Sequence, residues 1–450
     1  MVELTQETSF RSILKIAIPI ALQQLLTASL HLVDTGFIVR LGNTSTAAIG
    51  AAGRLFFAIH VTMFGICSGM MVISSQFWGI KDIKTIRQAF GMGLINLTIF
   101  ALIVGIACFF FPATLIGVFT NDALAIVEGA KYLKIAGLSF IPLSLAFAYS
   151  LILRSTENVK VPLAVSFVSV GTNTLLNYLL IFGKFGFPKL GIQGAAIATL
   201  ISAVLQSILF IIICKAQNNI ANATIAELIP HSKDFVKKFY KTSLPILGNE
   251  FLWIAGVSVY AMVYGRQGTV NFSAYTIFSA FDQIMFTFFI GLCSACAVIV
   301  GKLVGRQQLN AAYDFGKKFI IYTEIFAVFV GVLIVIFAPF FVGLMNPENI
   351  ETQNMAIQLM RIYPFIFPLF IMPYICIVGI FRSAGSPKIG MALDGVTVWF
   401  VGVPATLIAA YVFKLPFEYI YVMFGTEHLI KSILCILVYR KRKWLRPLTT

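Results

Sequence analysis

The segment SILKIAIPIALQQLLTASLHLVDTGFIV, residues 12–39, decides the fold. Lys15 and Asp34 are its only ionised side chains, and its apolar residues form a long run instead of alternating, which favours a helix over a barrel strand. At about 1.5 Å per residue, such a helix is long enough to cross roughly 30 Å of hydrocarbon. The preceding residues 1–11 are polar and mixed in charge, so we predict a retained membrane helix and not a cleaved signal.

The rest of the chain has the same character. Of its 450 residues, 59% are hydrophobic and 11% charged, and the mean hydropathy is +0.92. No soluble core can hide that much apolar surface, and only helices satisfy the backbone in repeated long apolar segments within lipid. We therefore predict an all-α integral membrane protein of twelve transmembrane helices. The other eleven segments are 49–77, 89–113, 127–152, 161–182, 191–214, 240–264, 271–300, 316–344, 354–380, 389–412 and 417–439.

The twelve segments fall into two related halves. Matched residues stand 226 positions apart: Pro19 and Pro245, Arg40 and Arg266, Gly42 and Gly268, Gly79 and Gly305, Pro142 and Pro368. Six helices in each half give both halves the same orientation, which makes this a parallel repeat. The predicted domains are an N-terminal six-helix bundle (1–215), a cytoplasmic linker (216–238) and a C-terminal bundle with a basic tail (239–450).

The basic residues report membrane topology. The net charge of +15 comes from Lys and Arg that concentrate in alternate connections, among them 81–87, Arg154, Arg382 and the tail 440–446. Under the positive-inside rule this pattern places both termini in the cytoplasm of a cell membrane, and it argues against a nucleic-acid partner. The seven cysteines lie in or beside apolar segments, a setting that suggests neither disulfides nor a zinc site.

Acidic residues inside the membrane are candidates for function, because an ionised side chain in hydrocarbon is costly. The candidates are Asp34, Glu250, Asp282, Glu324 and Asp394, with Glu427 beside His428 as a weaker sixth. Pro19 predicts a bend fifteen residues before Asp34, so one helix combines a flexible point with an acid that could bind a proton or Na⁺. The alternative is a helix-end aspartate near Arg40. Asp394 also fits a first-turn acid favoured by the helix dipole.

Polar side chains on the fifth and sixth helices complete the first candidate site. Asn173 and Asn177 are one turn apart and share a face, and Thr199 follows a run of small residues that permits close helix approach. Next to one carboxylate, these oxygens would suit a sodium ion, or they would adjust the pKa of a carboxylate that binds a proton. Alternatively, they only form hydrogen bonds between helices. ATP-binding P-loop, H-E-x-x-H and G-x-S-x-G motifs are missing from the sequence, so we expect a protein that is not an enzyme.

Three stretches resemble the multidrug and toxic compound extrusion (MATE) transporters. They are IAIPIALQQLLTASLHLVDTGFIVRLGNTSTAAIGAA (16–52), NTLLNYLLIFGKFGFPKLGIQGAAIATLIS (173–202) and GLCSACAVIVGKLVGRQQLNAA (291–312). The resemblance implies export of cationic or amphipathic drugs in exchange for H⁺ or Na⁺, by a protein without other cofactors. It also implies that Asp34 is the coupling aspartate, a possible Na⁺ ligand, with Asn173 as its helix-five amide and Thr199 as its helix-six hydroxyl. We expect a monomer surrounded by membrane lipid.

The sequence departs from the family pattern at two positions. Asn177 stands where members with the best-defined N-terminal site carry a second aspartate. Without that second carboxylate, ion coupling at this site would depend on Asp34 alone. Ile371 stands where another branch has an acid in the second half, so Glu250 and Asp282 become the candidates there. The substrate range and the coupling ion stay open.

Three rival functions remain. A lipid or oligosaccharide flippase of the same superfamily would require a cavity lined by positive charges, whereas the predicted interior contains acidic side chains. A membrane-embedded lipid enzyme would need clustered His, Asp or Ser near one interface, which the sequence lacks. A channel would not need duplicated, kinked halves.

Overall fold

The computed structural model describes residues 10–345 and 349–449, without the side chains of Phe10, His31, Leu32, Asn43 and Leu344. Within these residues the chain is helical, and twelve helices are long and apolar enough to cross a membrane. They are α1 (Arg11–Val39), α2 (Thr44–Gly79), α3 (Ile83–Phe110), α4 (Ala123–Ser155), α5 (Lys160–Phe182), α6 (Ile192–Ala216), α7 (Lys233–Gly265), α8 (Thr269–Gly305), α9 (Leu309–Gly343), α10 (Ile350–Phe381), α11 (Pro387–Val412) and α12 (Phe417–Arg440). The predicted fold class is confirmed. The polar start over residues 1–9 lies outside the described residues.

Apolar side chains cover the outside of the helices as well as their contacts. On α9, Ile325, Phe329 and Ile336 are 63%, 57% and 62% exposed. Their spacing places them along one face of the helix, which in water would be an unfavourable apolar stripe. Such a face is stable in hydrocarbon, so the protein is a multi-pass membrane protein.

The described residues divide into two compact units. The N-unit is Ile18–Ser243, and the remaining described residues form the C-unit. In the N-unit α5 packs along α6 and α2 along α3, while in the C-unit α10 packs on α8, α9 and α12. The division falls after Ala17 in α1 and after Ser243 in α7, just before Pro19 and Pro245. Both helices continue through their proline; the bend at Pro19 and the domain boundaries at 215 and 239 stay predictions.

The repeat is visible in the backbone as well as in the sequence. Gly42 and Gly268, which precede α2 and α8, have φ angles of 109° and 100°, a region that L side chains rarely adopt. Lys81 and Gln307, just after these helices end, both have a φ of 60°. Corresponding turns therefore have corresponding geometry, as expected of two pseudo-symmetric halves.

The first part of the predicted linker docks on α3. Arg87 donates to the carbonyls of Ile220 (3.2 Å) and Asn222 (2.9 Å) and forms an ion pair with Glu227. Glu227 also closes a capping box with Thr224, whose backbone N–H donates to the carboxylate at 2.8 Å. That backbone N–H and the Thr224 hydroxyl, with a smaller contribution from Arg87, lower the pKa of Glu227.

We expect Glu227→Gln to loosen this segment. Since the pKa of Glu227 is lowered in the docked state, its contribution is present above the ordinary carboxyl pKa and is lost as the pH falls through the lowered value. The mobility of a spin label at the exposed Ala226 should rise in the variant, and in the wild type only on acidification. Equal mobility in both proteins at neutral pH would contradict this prediction. The seven native cysteines are buried, which favours selective labelling.

Candidate functional site

Asp34 and the helix-five asparagines form one hydrogen-bonded chain in the N-unit. The amide of Asn177 on α5 donates to Asp34 Oδ1 on α1 and, at 2.8 Å, to Asn173 Oδ1. Both asparagines are fully buried, whereas Asp34 is half-buried. Both N–H groups of Asn177 are used, whereas its Oδ1 is buried without a hydrogen-bond partner. The site thus contains the carboxylate of Asp34 and an oxygen of Asn177 that accepts no hydrogen bond.

The sixth helix joins this chain through Ser202. Asn173 Nδ2 donates to Ser202 Oγ at 3.3 Å, and Ser202 Oγ donates to the Thr199 carbonyl at 3.0 Å. The Thr199 hydroxyl donates to its own helix, to Ala195 O at 3.0 Å. Tyr132 of α4 lies near both Asp34 and Thr199. The structure therefore brings together all four predicted residues of the site and adds Ser202 and Tyr132.

A second polar cluster in the N-unit centres on Gln23 of α1. Its Nε2 donates to Ser166 (2.8 Å) and Ser150 (3.2 Å), and its Oε1 accepts from Arg154 Nε at 3.2 Å. Arg154 also donates to Gln24 Oε1 at 3.3 Å. Arg154 is only 7% exposed, so this residue, assigned above to membrane topology, also takes part in the helix packing.

The two second-half candidates, Glu250 and Asp282, have separate partners in the C-unit. Glu250 of α7 pairs with Arg382 at 2.7 Å, with side chains 12% and 4% exposed. Asp282 of α8 accepts a hydrogen bond from Tyr363 of α10. Ile371 is fully buried in α10.

A third group of charges lies between α7, α11 and α12. Asp394 is 8% exposed and accepts from Asn249 Nδ2 at 3.0 Å, so it is not a solvated first-turn acid. Lys431 lies 2.8 Å from Asp394 and 2.6 Å from Glu427. Sequence reasoning examined acids and overlooked this lysine; the available signal was a base four residues after Glu427 in an apolar helix.

Comparison with known proteins connects this geometry to a family. The MatE family profile matches residues 19–179 and 245–425. The chain belongs to the MatE family. The two matches begin at Pro19 and Pro245, and therefore reproduce the repeat found in the sequence. The resemblance stated above is confirmed.

Individual relatives of this MatE protein cover nearly all of it. It is 22% identical over 439 residues to the "Probable multidrug resistance protein NorM" of Thermotoga maritima, with 96% of this chain and 93% of the relative aligned. It is 24% identical over 430 residues to the "Uncharacterized transporter YisQ" of Bacillus subtilis, covering 92% and 90%. The solved structure described as "Crystal structure of MATE in the bent conformation" matches with a TM-score of 0.88 at 17% identity, covering 98% of this chain and 97% of that one.

The site of this MatE protein has the chemical groups that binding of one proton or one small cation would need. A half-buried carboxylate next to buried amides can be protonated and still keep one oxygen as an acceptor for Asn177. Alternatively, Asp34 and the unpartnered Asn177 Oδ1 offer the oxygen ligands that sodium prefers. Across the described residues, three or more His, Cys, Asp or Glu side chains nowhere gather in a metal-holding group.

Asn177→Asp should increase the preference of the site for sodium. The second carboxylate would adjoin Asp34, and two adjacent negative charges stabilise a bound cation more than one does. We expect sodium to raise the thermal stability of this variant more than that of the wild type, with potassium as the control ion. A response to sodium no larger than that of the wild type would argue against a cation-accessible site.

Proposed function

We propose that this protein is a secondary active multidrug exporter that moves cationic or amphipathic small molecules out of the cell in exchange for H⁺ or Na⁺. The observation that carries the proposal is the contact of Asp34 with Asn177, which joins an ionisable group on α1 to the buried polar chain of α5 and α6. The name of the Thermotoga maritima relative supports the drug substrate. The coupling ion and the substrate class are part of the proposal.

Coupling between ion binding and transport follows from the change in the charge of Asp34 when an ion binds. When the carboxylate is ionised, it accepts from Asn177 and leaves a negative charge in a half-buried place. Binding of a proton or sodium ion removes that charge, and this changes the free energy of any helix arrangement that exposes or buries Asp34. An ion gradient can then drive alternating access. We further propose that the protein works as a monomer with both termini in the cytoplasm, and that it carries out no chemical reaction.

Proteoliposomes containing the purified protein test the proposal. We expect a fluorescent lipophilic cation to move against its own gradient when either a pH gradient or a sodium gradient is imposed. The gradient that drives the movement identifies the coupling ion. Movement under neither gradient would contradict the proposal and would favour a flippase acting on lipid-linked substrates.

A further inference from the structure

Three charged side chains form a buried triad in the C-unit. Lys431 Nζ of α12 lies 2.8 Å from Asp394 Oδ1 of α11 and 2.6 Å from Glu427 Oε1, one turn earlier in its own helix. The side chains of Lys431, Asp394 and Glu427 are 4%, 11% and 2% exposed. Charges are rarely buried this far within a membrane protein unless they are used.

The triad carries one negative charge more than neutrality allows. Two carboxylates face one ammonium group, and desolvation makes an uncompensated buried charge expensive. The buried Arg382 of the C-unit does not supply the missing positive charge, since it is paired with Glu250. The titratable groups that lie against the triad are Tyr260 and Tyr264 of α7 and His428 of α12. Of these, only His428 becomes positive on gaining a proton.

A proton is better suited than a metal ion to neutralise the excess negative charge of the triad. Every carboxylate oxygen of the triad already faces a donor: the two remaining oxygens accept from Asn249 Nδ2 (3.0 Å, to Asp394) and from the Tyr260 hydroxyl (to Glu427). A Cβ placed on Gly402 would collide with Tyr260 and Glu427, so the packing leaves little room for a hydrated cation. A proton needs only a lone pair on an oxygen.

Two further observations mark this region as unusual. His428 is 3% exposed and both its ring nitrogens lack a hydrogen-bond partner, although it lies next to Glu427 in the chain. Its ring is packed edge-on against Phe424 and Phe370. Residues Val398–Gly402 of α11, opposite Glu427, form a π-helical segment, a feature that occurs frequently at functional sites.

The repeat shows that these charges are specific to the C-unit. In this part of the repeat the offset is 228 residues, as it is between Arg154-Ser155 and Arg382-Ser383. The N-unit positions that correspond to Asp394, Glu427 and Lys431 are therefore Ser166, Thr199 and Ala203. The position that corresponds to Asp34 is Tyr260, the donor to Glu427. Each unit therefore has its acids near the same place in the fold, but on different helices.

We propose that Asp394 and Glu427, with Lys431 between them, form a proton-binding site in the C-unit that is additional to Asp34. One proton binds to the pair of carboxylates and makes the triad neutral, while Lys431 keeps the other carboxylate paired. When the proton leaves, the ammonium group is shared by both carboxylates. Use of this site in transport rests on the proposed function, whereas the binding of the proton does not.

Infrared difference spectra between alkaline and mildly acidic pH test the site directly. The C=O stretch of a protonated carboxyl group shifts in D₂O, so the band can be assigned in purified full-length protein without drug or gradient. In Asp34→Asn protein, which lacks the first site, we expect such a band to remain. Adding Glu427→Gln, which leaves Asp394 and Lys431 as a neutral pair, should abolish the triad's contribution to the band.

A charge-matched variant separates proton binding from a merely structural role. Asp394→Asn combined with Lys431→Met leaves Glu427 as a single negative charge, so the band should be retained in the Asp34→Asn background. If Glu427→Gln protein does not fold, Asp394→Asn alone removes the same charge and should likewise lose the contribution. Identical bands with and without these neutralising substitutions would overturn the proposal. Failure of drug export in the wild type would overturn the proposed function and leave this result unaffected.

Discussion

Asp34→Asn is expected to reduce gradient-driven drug export to the level of protein-free liposomes. Asparagine has nearly the same size and keeps an oxygen that can accept from Asn177, so the hydrogen-bonded chain of α5 should persist. It cannot change its charge, however, and so it cannot transmit a proton or sodium gradient. Export of a fluorescent cation from proteoliposomes, driven by each gradient in turn, measures the effect.

A surface acid provides the matched control. Glu128 of α4 makes an ion pair with Lys131 at 2.7 Å, and their side chains are 30% and 49% exposed. Glu128→Gln removes one carboxylate, as Asp34→Asn does, but should leave export unchanged because surface ion pairs contribute little. Export against a gradient by folded, membrane-inserted Asp34→Asn protein would remove Asp34 from the mechanism.

Arg382→Gln is expected to be strongly destabilising. It leaves the Glu250 carboxylate, whose side chain is 12% exposed, without its charged partner. Removing one partner of a buried ion pair typically costs about 3–5 kcal/mol. A marked fall in the thermal unfolding temperature of the detergent-solubilised protein, relative to the wild type, would show this effect.

The repeat supplies a milder variant for comparison. At the equivalent place in the N-unit, Arg154 is buried with the neutral oxygens of Gln23 and Gln24 as acceptors. Glu250→Gln would give Arg382 the same kind of partner, so its unfolding temperature should fall less than that of Arg382→Gln. If Glu250→Gln lowers the unfolding temperature more than Arg382→Gln does, then Arg154 and Arg382 are not stabilised in the same way. The argument from the repeat would then fail.

The N-terminal site was largely predictable because its members lie on regular helices. Asn173 and Asn177 are one turn apart, so their common face follows from helix geometry. That Asp34 would meet Asn177 could be proposed only through the family resemblance. Tyr132 gave no signal, because one tyrosine in an apolar helix is compatible with any packing.

The C-unit shows what reasoning from single residues could not supply. Glu250 and Asp282 were named together, yet each has a different partner, Arg382 and Tyr363. Asp394 was given a helix-end interpretation because it lies near the start of its predicted segment, and its partner Lys431 is far away in sequence. Arg382 was assigned to a loop by the pattern of basic residues, although its side chain is buried.

By itself the sequence determined that the protein lies in lipid, how many helices cross the membrane and that the chain consists of two related halves. These properties depend on the length and spacing of apolar segments, which are local and survive any arrangement of the helices. Only the tertiary structure decided which polar groups are partners. An ion pair such as Lys431 with Asp394 joins residues on different helices, and its energy depends on distances and burial that local sequence does not contain.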